Sequence, residues 1–198
     1  MNQLNKKCLN LGCGLDILPG WINVDIQKGI GIDKSFNFEE FPYPLKDNEF
    51  NYILMNNVFE HLLYPQSTLL ELWRISNDNA IIRIIVPYYN ARKYWDDITH
   101  YHGFNKFTFL NMLGKGTYNN RVQNNFEIKS IKLIPTRLGK LVPKFMLESL
   151  SQYISNLIIS IDVTIVVTIV VVKKNSNYVP SYISGWSKEQ RKRMQVKI

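Results

Sequence analysis

Two short apolar runs, each closed by a specific kind of residue, constrain this chain more than any other feature. Leu9-Asn10-Leu11 breaks into Gly12-Cys13-Gly14, and Trp21-Ile22-Asn23-Val24 ends on Asp25. A strand that runs into Gly-x-Gly, succeeded by a second strand ending on a carboxylate, is the opening of an α/β fold built to hold a nucleoside. Glycine is needed there because a residue without Cβ lets the backbone turn sharply and touch a ligand. An aspartate at the end of the second strand can accept hydrogen bonds from both ribose hydroxyls.

The residues between the turn and the aspartate narrow the ligand. A dinucleotide fingerprint needs a third glycine, a full helix whose N-terminus faces pyrophosphate, and an acid about 20 residues on. Here position 17 is Ile, Pro19-Gly20 stops any helix after about one turn, and Asp25 comes early. So short a stub has little dipole to offer a diphosphate. S-adenosylmethionine (SAM) carries adenosine without phosphate and a cationic sulfonium, so the pattern points to SAM over NAD.

With these residues the chain resembles the class I SAM-dependent methyltransferases, in particular the small methyltransferase-type-11-like group whose motifs read LNLGCG and GWINVDI. The resemblance continues in register through Phe41 to Ile53, Asn57-Val58-Phe59-Glu60-His61-Leu62, Leu70 to Ile75, Ile84-Ile85-Val86-Pro87 and Asp97-Ile98-Thr99-His100, from about Lys6 to Phe109. Each motif alone is weak, and their shared order is strong. The resemblance implies a Rossmann-like, mainly parallel seven-stranded sheet with helices on both faces and an antiparallel last strand. It also implies SAM as cofactor, held by Asn10, Gly12, Cys13 and Gly14, by Asp25 and Ile26, by Asn37 and Phe38 at adenine, and by Asn56, Asn57 and His61 on the pocket floor. Three positions depart from relatives: Asn10 and Asn37 stand where acids are usual, and Asn77-Asp78-Asn79 replaces a Lys-Pro-Gly-Gly turn. Each change is isosteric or turn-competent, which argues for altered affinity over lost binding.

Periodicity predicts strands at Cys8–Leu11, Trp21–Asp25, Lys34–Phe38, Tyr52–Met55 and Ile81–Val86, and a helix from Gln66 to Ser76 with Pro65 in its first turn and Thr68 to Glu71 as a capping pair. A second helix is expected at Lys106–Leu113, strands at Glu127–Ile134 and Val163–Val172, and an amphipathic helix at Lys144–Ile159. Residues 1–174 read as one domain and 175–198 as a basic tail. At 198 residues, 45% hydrophobic and 20% charged, the chain can bury a full core. Ile158–Val172 is too short and too β-branched for a membrane helix. Cys8 and Cys13 form no disulfide framework, and no leader opens the chain, so a cytoplasmic protein is expected.

The net charge of +8 invites a nucleic-acid partner. Much of that excess sits in the tail, where solvated charge is the usual explanation, leaving Arg92, Lys93, Tyr94 and Trp95 as a small basic-aromatic patch beside the expected site. Methyl transfer itself asks for alignment and, with a hydroxyl acceptor, for a base. His100 is the expected base, oriented by Asp97. Glu60-His61 also resembles metal-using 2′-O-methyltransferases of small-RNA ends, but Asn57 takes the place of their first glutamate. The remaining set suits Mg²⁺ poorly, so no metal is expected. The resulting expectation is a methyltransferase acting on a hydroxyl of a small molecule or glycan. Nucleic-acid methylation, a non-catalytic partner subunit and an NAD-dependent oxidoreductase are the alternatives, and the oligomeric state is left open.

Overall fold

The computed structural model describes residues 7–114, 125–134 and 164–173. The expected amphipathic helix at Lys144–Ile159 and the basic tail lie outside them. Seven strands form one sheet: β1 (Cys8–Leu11), β2 (Ile22–Asp25), β3 (Lys34–Ser35), β4 (Phe50–Asn56), β5 (Ser76–Pro87), β6 (Phe126–Ile134) and β7 (Thr164–Val171). Their order is β3-β2-β1-β4-β5-β7-β6. Strands β1 to β5 pair in parallel, and β7 runs antiparallel to both neighbours, β5 and β6. Central strands of a parallel sheet bury both faces, which is why Leu9, Asn10 and Leu11 are all buried, and β7, flanked by strands on both edges, is made wholly of Val, Ile and Thr.

Among the described residues three helices accompany the sheet, α1 (Pro65–Ile75), α2 (Arg92–Trp95) and α3 (Lys106–Met112), with a single 3₁₀ turn at Phe59–His61. Pro65 opens α1 as expected, its fixed φ suiting a position where an amide hydrogen has no partner anyway. The proposed Thr68–Glu71 cap does not form. Both residues lie inside the helix and are fully buried, with Thr68 near the Tyr43 hydroxyl and Glu71 paired with Arg74. A capping box does form on α3, between Asn105 and Thr108. The Asn77-Asp78-Asn79 turn is drawn into β5 as an irregularity. Pairing jumps from Phe50–Ser76 to Tyr52–Ile81, and Asn79 takes a positive φ of 60° to absorb the extra residues.

The link between β1 and β2 holds no helix at all, going further than the single turn expected. It is ordered by one buried pair instead. Asn10 and Asn23 face each other across β1 and β2, and Asn10 Nδ2 donates to Asn23 Oδ1 at 3.0 Å and to the Asp16 carbonyl at 2.8 Å. Asn23 Oδ1 also accepts from the Leu18 amide, and its Nδ2 donates to the carbonyls of Leu18 and Trp21. Buried amides must find partners, and these two find them in the loop backbone.

Candidate active site

A doubly wound sheet opens a crevice where its strand order reverses, outside the carboxyl ends of the strands. Here the reversal falls between β1 and β4. The Gly12–Gly14 turn comes directly after β1, Asp25 ends β2, and Asn56-Asn57 ends β4, so the topology brings together three of the sequence-predicted groups.

At the turn, the amides of Gly12 and Cys13 both donate to the Val24 carbonyl, at 2.8 and 3.0 Å. Gly12 has φ of +79°, and a Cβ there would sit 2.2 Å from Val58 Cγ2, so this glycine is demanded by the protein's own packing. Gly14 differs: its φ is +51° and, its two chain neighbours aside, no atom of the described residues lies within 4 Å of where its Cβ would be. Its amide donates to Asp25 Oδ2 at 2.8 Å, while Asp25 Oδ1 accepts from the Gln27 amide at 3.0 Å. Asp25 thus braces the turn, and each carboxylate oxygen retains lone-pair capacity for a ligand hydroxyl.

Two predicted cofactor residues are buried. Asn10 is 3% exposed, with its amide donating to the Asp16 carbonyl and to Asn23 on β2. Phe38 is packed among Phe36 and Tyr43 and 7% exposed, because its ring completes an aromatic cluster under β3. Asn37 and Ile26 are exposed beside them, with Asn37 Oδ1 accepting from the Glu39 amide. Asn23, which holds the loop, went unpredicted; its apolar neighbours in β2 gave no hint of a polar hub.

At the carboxyl ends of β4 and β5 lies a cleft of about 480 Å³ lined by Asn56, Asn57, Glu60, His61, Lys93, Asp96, Asp97 and His100, among others. The segment after β5 folds back over the 3₁₀ turn that comes after β4. Backbone bonds from Tyr101 and His102 to the Glu60 carbonyl, at 2.9 and 3.4 Å, hold it there. The rings of His61 and His100 come within 4.6 Å of each other as a result.

Hydrogen bonds set the tautomer of each histidine. His100 Nδ1 lies 2.7 Å from the Tyr94 carbonyl, which can only accept, so Nδ1 carries the proton and Nε2 the lone pair. Thr99 Oγ1 donates to Asp97 Oδ1 at 2.6 Å and therefore accepts from His61 Nδ1 at 2.8 Å. His61 Nε2 is likewise left with a lone pair. The expected His100–Asp97 pair is present only as a long contact, Asp97 Oδ2 to His100 Nε2 at 4.0 Å, while the bond that orients the His100 ring comes from the Tyr94 carbonyl and Asp97 Oδ1 is held by Thr99.

Glu60, which the sequence offered only as a poor ligand for Mg²⁺, lines the cleft with the two histidines. It is 1% exposed, and neither carboxylate oxygen has a hydrogen-bond partner in another residue among those described. Burial, with the Asp97 charge adding to it, pushes its carboxyl up to about 7. Burial also lowers His61, helped by His100, while the Thr99 bonds hold Asp97 below its ordinary range.

No family model matches the chain, and no curated protein sequence does. Solved structures do match it. A methyltransferase of Bacillus halodurans superposes with a TM-score of 0.57 at 11% identity, covering 84% of this chain and 92% of its own. A SAM-dependent methyltransferase of Archaeoglobus fulgidus gives 0.57 at 16% identity, covering 83% and 86%. The chain has the class I methyltransferase fold. The same fold supports SpnF, a [4+2]-cyclase, which matches with a TM-score of 0.54 at 11% identity over 84% and 74%. A class I methyltransferase fold therefore does not dictate a reaction, and the chemistry has to be argued from the site. No helix among the described residues is long and apolar enough to cross a membrane.

Proposed function

We propose that this chain is a SAM-dependent methyltransferase acting on a hydroxyl of a small molecule or glycan. One observation carries the cofactor: the glycine turn leads into no helix and is closed by Asp25. A dinucleotide would lose the helix N-terminus that its pyrophosphate needs, whereas an adenosine with a sulfonium loses nothing. The open space over Gly14 fits such a ligand, and Asp25 retains acceptor capacity for its ribose. SAM, when bound, supplies a methyl group on an already activated leaving group.

The protein's share of the work is alignment and proton acceptance. The cleft has the volume of a small-molecule site, and the asparagines, acids and histidines in its mixed lining could hold a hydroxylated acceptor. His100 lines the cleft, and the bond from its Nδ1 to the Tyr94 carbonyl leaves the lone pair on Nε2, the state a base needs. Calorimetry against SAM and NAD, then mass analysis of acceptors incubated with SAM, tests this reading; binding of NAD in preference to SAM would reject it.

Two substitutions sharpen it. Asp25→Ala is expected to weaken SAM binding by roughly 1.5–3 kcal/mol, the usual worth of a hydrogen bond to a charged group. It should weaken adenosine equally, and unchanged affinity in the folded variant would remove Asp25 from the ribose. His100→Ala is expected to lower turnover by about 100-fold or more with SAM affinity nearly unchanged, since a positioned base contributes roughly 10²–10⁴. Full activity in that variant would point to an acceptor that gives its proton to water.

A further inference from the structure

We propose that Glu60, His61 and His100 form a binding site for a divalent first-row transition ion of the Zn²⁺ type. One donor atom from each lies within 4.8 Å of the other two. Donors gathered around Zn²⁺ at about 2.0–2.1 Å sit roughly 3.4 Å apart, so closure needs side-chain movements of only about 1 Å.

Two independent features point to an ion and not to chance proximity. Each histidine donates its Nδ1–H to an oxygen, His100 to the Tyr94 carbonyl and His61 to Thr99 Oγ1, which leaves Nε2 as the free donor. That is how metal-ligating imidazoles are held, with an outer oxygen fixing tautomer and ring orientation. Glu60 supplies the second feature: a carboxylate 1% exposed, lining the cleft, with neither oxygen hydrogen-bonded by another residue among those described. A buried unpartnered carboxylate calls for a compensating group, and a cation is the direct one.

The donor set also selects the ion. Two imidazoles and one carboxylate are a poor match for Mg²⁺, which is why the sequence argued against a metal, but they suit Zn²⁺ and its neighbours. All three residues line the same cleft, so an ion would have a path of entry and a coordination position facing the acceptor space. An ion bound there takes the His100 Nε2 lone pair, so the proton-accepting role proposed above belongs to the ion-free protein. The site itself does not rest on methyl transfer.

The chain has three histidines and two cysteines, which makes the test compact. The full chain is stripped with chelator and titrated calorimetrically with ZnCl₂ in the absence of SAM. CoCl₂ absorption provides a second readout. One equivalent is expected to bind, with Glu60→Gln and His61→Ala each weakening it by at least about 100-fold and His102→Ala leaving it unchanged, since His102 Nε2 meets the Leu63 carbonyl away from the cluster. Circular dichroism verifies that each variant is folded. Absence of binding to the wild type would overturn the proposal. So would binding that survives both Glu60→Gln and His61→Ala, or that is lost in His102→Ala.

Discussion

Arg74→Ala is expected to destabilise the chain by about 3–5 kcal/mol, the range for breaking a buried ion pair from one side. The guanidinium grips Glu71 with two bonds, from Nε at 2.9 Å and Nη2 at 2.7 Å, and Glu71 is completely inaccessible. Arg74 also donates to the carbonyls of Leu45 and Tyr43 and pairs with Asp47, while the Tyr43 amide donates to Glu71 at 2.7 Å. One side chain therefore ties the Phe41–Asp47 segment to helix α1. Removing it strands the Glu71 charge in the core and leaves two carbonyls without their donor. Arg74→Lys keeps a charge but not the planar fork, so an intermediate loss is expected. Urea unfolding of the three proteins measures this, and a loss under about 1 kcal/mol for Arg74→Ala would show that Glu71 finds another partner.

The second large effect is a pH dependence owed to Glu60. In the folded, chelator-treated chain its carboxyl is raised from an ordinary 4.5 to about 7 by burial. Below pH 4.5 the group is protonated folded or unfolded, and it costs nothing. Between pH 4.5 and 7 the folded chain holds a proton that the unfolded chain has released, so stability falls as pH rises, and the full cost is present above pH 7. The span corresponds to roughly 3 kcal/mol. Glu60→Gln lacks this slope. Denaturant midpoints at about pH 4.5, 6 and 8 should show the variant gaining on the wild type as pH rises; a constant offset at all three would refute the assignment.

Much of the fold was legible because its signals are local. The Leu9–Gly14 run, the β-branched Thr164–Val171 stretch and Pro65 before a helical pattern each carry their structural meaning within a few residues. Boundaries moved by one or two positions at most of the strands, but β3 stops at Ser35, three residues short of the expected Phe38, and β5 began five residues early, because Asn79 could take a positive φ and let the strand absorb an irregularity. The site was legible in its residue types and less so in its pairings. His61 and His100 lie far apart in the chain, and only the fold-back of the segment after β5 makes them neighbours. The same holds for Asn10 with Asn23 and Arg74 with Tyr43. Asp97 drew attention by sequence proximity to His100, whereas a backbone carbonyl, which no sequence pattern advertises, holds the ring.

The place of β7 in the sheet has a consequence for synthesis. It is the last strand in sequence among the described residues, yet it lies between β5 and β6, and β6 pairs with no other of the described strands. At about 5–20 residues per second, the ribosome finishes β5 on the order of ten seconds before β7 is complete. Throughout that interval the outer hydrogen-bonding edge of β5, with Ile82, Ile84 and Val86 along it, stands open beside an unpaired β6. Such an edge is a template for pairing with another nascent chain. A version of the protein ending before Thr164 is expected to collect in the insoluble fraction, whereas extending it through Val171 restores a sheet that can close.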